Sequence, residues 1–233
     1  MDFDRLRRNW ENLGRKDPMW AILTQPGTEG GRWDEKAFFA TGVEFVDWLR
    51  AWLLLHELTL PNGDAFDFGC GIGRLTQALA PHCAAVTGVD VSQPMIELAV
   101  KKNRHGDKVR YVCNQRPDLA MFANGSFDLV LSAIVLQHMR AEYSLRYLAE
   151  FLRILRPGGL LFFQIATQEL VPGAAPMAPA TEASNEAHME IHCAEIAAIH
   201  AVLAAGGGEV LREEPDRWAG PSWASAHFAV RRG

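Results

Sequence analysis

From Asp64 onward the chain alternates short apolar runs with stretches of helical periodicity, and this rhythm restricts it to a mostly parallel sheet joined by crossover helices. The apolar runs predict strands at 64–68, 84–89, 108–113, 126–132 and 158–165, with helices near 73–80, 93–103 and 141–155. Pro157-Gly158-Gly159 ends the last of these helices and leads into the fifth strand, because proline cannot continue a helix and glycine accepts positive φ. A helix near 194–205 and strands at 208–214 and 225–231 complete an α/β chain with a doubly wound, seven-stranded sheet. At 233 residues there is room for one sizeable core.

The first sixty residues read differently. Residues 3–13 are amphipathic, and 34–58 carry Phe38, Phe39, Val43, Phe45, Val46, Leu49, Trp52 and Leu53 at helical spacing, with a glycine- and proline-rich loop at 26–31 between them. The expected division is a helical extension or cap over 1–60 and a main domain over 61–233. Residues 168–187, rich in Ala, Pro and Ser, read as a long loop, either a lid or a surface connection. No internal repeat is present in the sequence.

The formal net charge of −5 lacks the basic footprint of a dedicated nucleic-acid binder, so a small, uncharged or cationic substrate is the expectation. Cys70, Cys83, Cys113 and Cys193 are scattered without paired spacing, which suits a reducing, cytoplasmic setting. The start of the chain is charged and no apolar run approaches the ~20 residues that span a bilayer, so neither secretion nor membrane insertion is expected.

Chemistry concentrates after the first strand, in Asp67-Phe68-Gly69-Cys70-Gly71-Ile72-Gly73. A strand, a glycine turn and a helix start present backbone N–H groups and a positive helix end to a ligand. The spacing Gly-x-Gly-x-Gly differs from the dinucleotide pattern Gly-x-Gly-x-x-Gly, whose third glycine serves close packing beside a pyrophosphate. Arg74 stands where that glycine would fall, which argues for a ligand without a pyrophosphate. Asp90 follows about twenty residues later, at the tip of the next strand, where a carboxylate accepts hydrogen bonds from a ribose diol. An adenosyl ligand is implied, although Ser92 beside it also suits an ordinary helix N-cap.

Taken with Gly88-Val89-Asp90, Phe127-Asp128-Leu129-Val130, Leu136-Gln137-His138 and Leu155-Arg156-Pro157-Gly158-Gly159, the turn resembles the class I S-adenosylmethionine-dependent methyltransferases across roughly 60–165. The resemblance implies a Rossmann-like sheet with an antiparallel last strand, S-adenosylmethionine as donor and S-adenosylhomocysteine as product. It implies that Gly69, Cys70, Gly71 and Gly73 line the methionine portion, that Asp67 helps hold its ammonium, and that Asp90 binds the ribose with Val91 and Met95 near the adenine. Where the family often has an acidic residue after the third strand, this chain has Asn114-Gln115-Arg116, and Gln115 can accept the adenine amino group through its amide oxygen. Ser132 and Ala133 are expected to contribute backbone contacts.

His138, after the fourth strand, is the candidate general base, with a capping or packing role as the alternative. His188-Met189-Glu190-Ile191-His192 alternates so that His188, Glu190 and His192 share a face, turned to the acceptor or to solvent; without further ligands, no metal is expected. Trp33, Phe39, Gln137, His188, His192 and Trp223 are the candidate acceptor contacts, and the aromatic ones serve equally as anchors for the N-terminal helices. The leading expectation is methyl transfer to O, N or S of a small biosynthetic intermediate or secondary metabolite. No Asn/Asp-Pro-Pro-Tyr/Phe motif, which marks amino-methylating DNA enzymes, follows the fourth strand. A non-catalytic adenosyl-ligand binder and a nicotinamide-dependent oxidoreductase stay open as alternatives.

Overall fold

The computed structural model describes residues 2–173 and 189–233. In chain order its elements are α1 (Phe3–Lys16), α2 (Pro18–Ile22), α3 (Glu35–Leu55), β1 (Asp64–Phe68), α4 (Arg74–Leu79), β2 (Ala85–Asp90), α5 (Gln93–Lys101), β3 (Val109–Cys113), β4 (Phe127–Ser132), α6 (Ala141–Ile154), β5 (Leu155–Glu169), α7 (Ile196–Ala205), β6 (Gly208–Asp216) and β7 (Trp223–Arg232), with 3₁₀ turns at Gly106–Lys108 and Leu136–His138. The strands form a seven-stranded sheet in the order β3-β2-β1-β4-β5-β7-β6, and β7 runs antiparallel to both its neighbours. The expected α/β, Rossmann-like sheet with its antiparallel last strand is therefore present.

Three departures from the expected elements bear on the architecture. The five-residue α2 is too short to show a period; Asp17 precedes it and Pro18 opens it, where a missing N–H costs nothing. Helix α6 stops at Ile154, before the Pro157-Gly158-Gly159 turn that was expected to end it, and Leu155 already pairs with Phe127. The ladder resumes at Leu160 opposite Leu129, so the turn is an irregularity inside β5 rather than its start. Of the expected 168–187 loop, Gln168 and Glu169 pair with Ala224 and Trp223 in the sheet, and 174–187 lie outside the described residues.

The chain divides into two compact units, one of Arg7–Gln115 and one of the residues up to Leu6 together with Arg116–Gly233. In the first, β1, β2 and β3 are parallel, with Asp67 opposite Gly88 and Asp90 opposite Cys113. Asp34 caps α3 by accepting from Ala37 N at 2.8 Å, and the helix buries Phe38, Val46, Leu49, Trp52 and Leu53. Each large apolar side chain buried this way contributes roughly 1.5–3 kcal/mol. Helices α3 and α4 approach so closely that a Cβ at Gly42 would lie 2.4 Å from the Arg74 carbonyl oxygen.

In the second unit, α6 buries Tyr147, Leu148, Phe151, Leu152 and Ile154, and Phe163 of β5 stacks on Phe228 of β7 with ring centroids 4.7 Å apart. A smaller apolar cluster gathers Ala166, Ala219 and Trp223, with Ile191 and Cys193 against it. Among the described residues no helix is long and apolar enough to cross a membrane.

Candidate functional site

In the first unit the chain reverses at the tip of β1. Gly69 N and Cys70 N both donate to the Val89 carbonyl of β2, at 2.8 and 3.0 Å. Gly71 and Gly73 take φ of 53° and 88°, left-handed values that strain any residue with a Cβ. A Cβ at Gly73 would also lie 2.2 Å from the Tyr111 hydroxyl. The turn wraps the Asp90 carboxylate, whose Oδ2 accepts from Gly71 N at 2.9 Å and whose Oδ1 accepts from Ser92 N at 2.8 Å. Asn114 N donates to the Asp90 carbonyl at 2.9 Å, so the tips of all three strands meet at this residue. A carboxylate offers about four lone-pair sites, and two N–H donors leave room for a diol.

Asp67 is 2% exposed, and its Oδ2 accepts from Thr76 Oγ1 at 2.6 Å. Burial pushes its carboxyl up to about 6, against the pull of the Thr76 hydroxyl and the Arg74 guanidinium. Arg74 is itself buried, and its Nη1 donates to the Thr41 carbonyl at 3.2 Å rather than to a carboxylate. Burial lowers it to about 10. Burial also pushes up Asp90, the Cys70 thiol and the Tyr111 hydroxyl.

The N-terminal helices of this unit lie directly on the turn. A Cβ at Gly71 would lie 2.4 Å from Ile22 Cδ1, and one at Gly14 would lie 3.0 Å from Ser92 Oγ and 3.1 Å from Met95 Cγ. Ser92 Oγ donates to the Trp10 carbonyl at 3.2 Å, and Gln115 Nε2 donates to Glu11 Oε1 at 3.2 Å. Met95 is buried under this packing, and the Val91 carbonyl accepts from Cys113 Sγ at 3.7 Å.

In the second unit a polar chain runs through the interior. His138 is 7% exposed, and Nδ1 lies 3.0 Å from the Glu190 carbonyl oxygen. A carbonyl only accepts, so Nδ1 carries the proton and, in the neutral ring, Nε2 is the acceptor. Gln137 Nε2 lies 3.4 Å from that Nε2, and Gln164 Nε2 donates to Gln137 Oε1 at 3.0 Å. Burial lowers His138 to about 4, so the ring is neutral near pH 7. Glu190 Oε2 meets His192 Nε2 at 3.1 Å and Glu190 Oε1 meets Arg5 Nη2 at 3.8 Å. His192 N donates to the Gln137 carbonyl at 2.7 Å, which lays 189–192 along the His138 turn.

The remaining candidates scatter. Trp33 donates from Nε1 to the Leu23 carbonyl at 3.0 Å and packs edge-on against Phe38, so it ties down the loop before α3. Phe39 lies under the Arg104 guanidinium, 5.5 Å from its centroid. Trp223 belongs to the Ala166 and Ala219 cluster, and Arg116 is exposed with its carbonyl accepting from Tyr147 at 2.9 Å. Ser132 and Ala133 are buried at the end of β4, and His188 lies outside the described residues. Among the described residues no group of three His, Cys, Asp or Glu could hold a metal. Gln164 escaped the sequence reading, although a single amide inside Leu160-Leu161-Phe162-Phe163-Gln164-Ile165-Ala166 is a visible signal. Ile22 and Tyr111 reach the glycine turn through tertiary packing, whereas Thr76 lies in the first turn of α4, directly after it.

Residues 66–163 match the family model described as a methyltransferase domain. The chain is 30% identical over 123 residues to a ubiquinone biosynthesis O-methyltransferase of Coxiella burnetii (strain Dugway 5J108-111), covering 52% of this chain and 51% of that one. A Methylococcus capsulatus protein of the same name is 30% identical over 145 residues, 62% of this chain and 60% of that one. The chain thus spans about half the length of the first of these relatives. Among solved structures, magnesium protoporphyrin IX methyltransferase from Synechocystis PCC 6803 with bound SAH superposes with a TM-score of 0.68 at 21% identity, covering 100% of both chains.

Proposed function

We propose, from the premise that residues 66–163 are a methyltransferase domain within the class I fold, that the chain transfers a methyl group from S-adenosylmethionine to a small molecule. The observation that carries this reading is the Asp90 carboxylate, oriented by the Gly71 and Ser92 N–H groups at the tip of β2 with lone pairs left for a ribose diol. The left-handed glycines give the turn its tight reversal and leave room for Ile22 at Gly71 and Tyr111 at Gly73. Asp67 would meet the ammonium, Gly69, Cys70, Gly71 and Gly73 would line the methionine, and Val91, Met95, Asn114, Gln115 and Arg116 would flank the adenine. Ser132 and Ala133 would add backbone contacts.

When bound, the cofactor supplies an electrophilic methyl on a sulfonium. The chain's own task is to align a nucleophile and exclude water. His138, held neutral with Nδ1 on the Glu190 carbonyl, would take the proton of a hydroxyl acceptor at Nε2, with Gln137 and His192 beside it. Trp33, Phe39, His188 and Trp223 are the further acceptor contacts proposed. The packing of Ile22 on Gly71 and of Gly14 on Met95 supports a capping role for residues 1–60 over the 61–233 domain. The scattered positions of Cys70, Cys83, Cys113 and Cys193 support a cytoplasmic setting, and the net charge of −5 supports a partner that is neither nucleic acid nor membrane.

Calorimetry with S-adenosylmethionine and NADH, followed by incubation of the labelled donor with fractionated metabolite extracts, tests the reading. Saturable binding of the methyl donor and label in an extracted product are expected, and Asp90→Ala should weaken binding at least about tenfold, the loss of roughly 1.4 kcal/mol. Preference for NADH, or donor binding without any labelled product, would sink the proposal.

A further inference from the structure

The glycine turn encloses more buried acid than it can neutralise. Asp67 and Asp90 approach it from adjacent strands, and among the described residues neither makes an ion pair. Asp90 accepts from the backbone N–H groups of Gly71 and Ser92, whereas Asp67 is held by Thr76, through its hydroxyl and its backbone N–H. The nearby cation, Arg74, is turned toward Thr41, and its Nε has no hydrogen-bond partner. The other titratable groups around Asp67 are the Cys70 thiol and the Tyr111 hydroxyl, both uncharged near neutral pH and both raised by burial. An acid so enclosed holds its proton more tightly than a free carboxyl does, and a cation delivered to it favours the charged form.

We propose that in mildly acidic solution Asp67 carries a proton in part of the ligand-free protein and releases it when a ligand bearing an ammonium group enters the turn, so that donor binding is coupled to proton release. This rests on the reading that the turn binds the adenosyl amino acid. The balance is simple: the Asp67 carboxyl loses H⁺ to the buffer, and the carboxylate pairs with the arriving ammonium. Burial supports it by placing the free carboxyl near 6, within reach of ordinary acidity. The coupling makes affinity for the amino-acid end rise with pH through that range, while contacts to the ribose at Asp90 do not need the exchange.

The test is calorimetry of S-adenosylmethionine binding in buffers of different ionisation enthalpy. Release of about half a proton is expected at pH 6, falling below about a tenth at pH 7. Asp67→Asn should abolish the buffer dependence, and Thr76→Val, which removes the hydroxyl that favours the charged form, should extend release to higher pH. 5′-Methylthioadenosine, which keeps the adenosine and lacks the amino acid, should bind with no release. Donor binding without buffer dependence at pH 6, release that survives in Asp67→Asn, or equal release with methylthioadenosine would each overturn the coupling. Failure of the wild-type protein to bind the donor at all would instead overturn the functional reading beneath it.

Discussion

A histidine sealed in the interior with its Nδ1 proton committed to the Glu190 carbonyl has a definite cost on acidification. Its folded-state value lies at about 4 against an ordinary 6.5, so the unfolded chain takes up the proton first. The stability this contributes is complete above pH 6.5 and is lost as pH falls from there toward 4. The span amounts to about 3 kcal/mol. Urea unfolding of wild type and His138→Asn at pH 7 and pH 4 should show the wild type losing more by about that amount; parallel losses would mean the ring is solvated. The residue was legible as a candidate from its place after the fourth apolar run. Its partners were not, because a backbone carbonyl fifty residues downstream and an amide on a neighbouring strand leave no local pattern.

At the scale of elements, the tightest approach lies between α3 and α4. Gly42 faces the Arg74 carbonyl, and a methyl group there would meet backbone, which cannot swing aside as a side chain would. Gly42→Ala gains up to about 1 kcal/mol in helix propensity but should lose roughly 1–3 kcal/mol to overpacking. A lower melting temperature is the expected result, and an unchanged or higher one would show that the helices part readily. Strand β1 could be read from the sequence to the residue, since an apolar run bounded by Gly63-Asp64 and a glycine turn leaves little choice. Helix α2 could not, because five residues hold little more than one turn of period. Arg74 was correctly separated from the dinucleotide pattern, but its burial depends on Gly42, a residue that reads in sequence as an ordinary helix position.

Across the whole molecule the fully buried strand residues include Phe66 of β1, Leu129, Val130 and Leu131 of β4, Leu161, Phe162 and Phe163 of β5, and Phe228, Ala229 and Val230 of β7. Their amides should exchange most slowly with deuterated solvent, through near-global unfolding, while the first turn of α1 and the Gly106–Lys108 turn should exchange fastest. Protection of α1 equal to that of β4 would contradict this order. The mostly parallel, doubly wound sheet was legible because its strands alternate with helices, although its strand order was not read from the sequence. The seating of the N-terminal helices was not, since amphipathicity says that a face is buried without saying against what. That seating gives Ile22 an unusual office. Its Cδ1 lies 2.4 Å from where a Cβ on Gly71 would stand, so the turn takes no side chain there, and under the proposed function Ile22 borders the place of the adenosyl amino acid. A helix of five residues thereby reaches the turn on which the proposed cofactor lies.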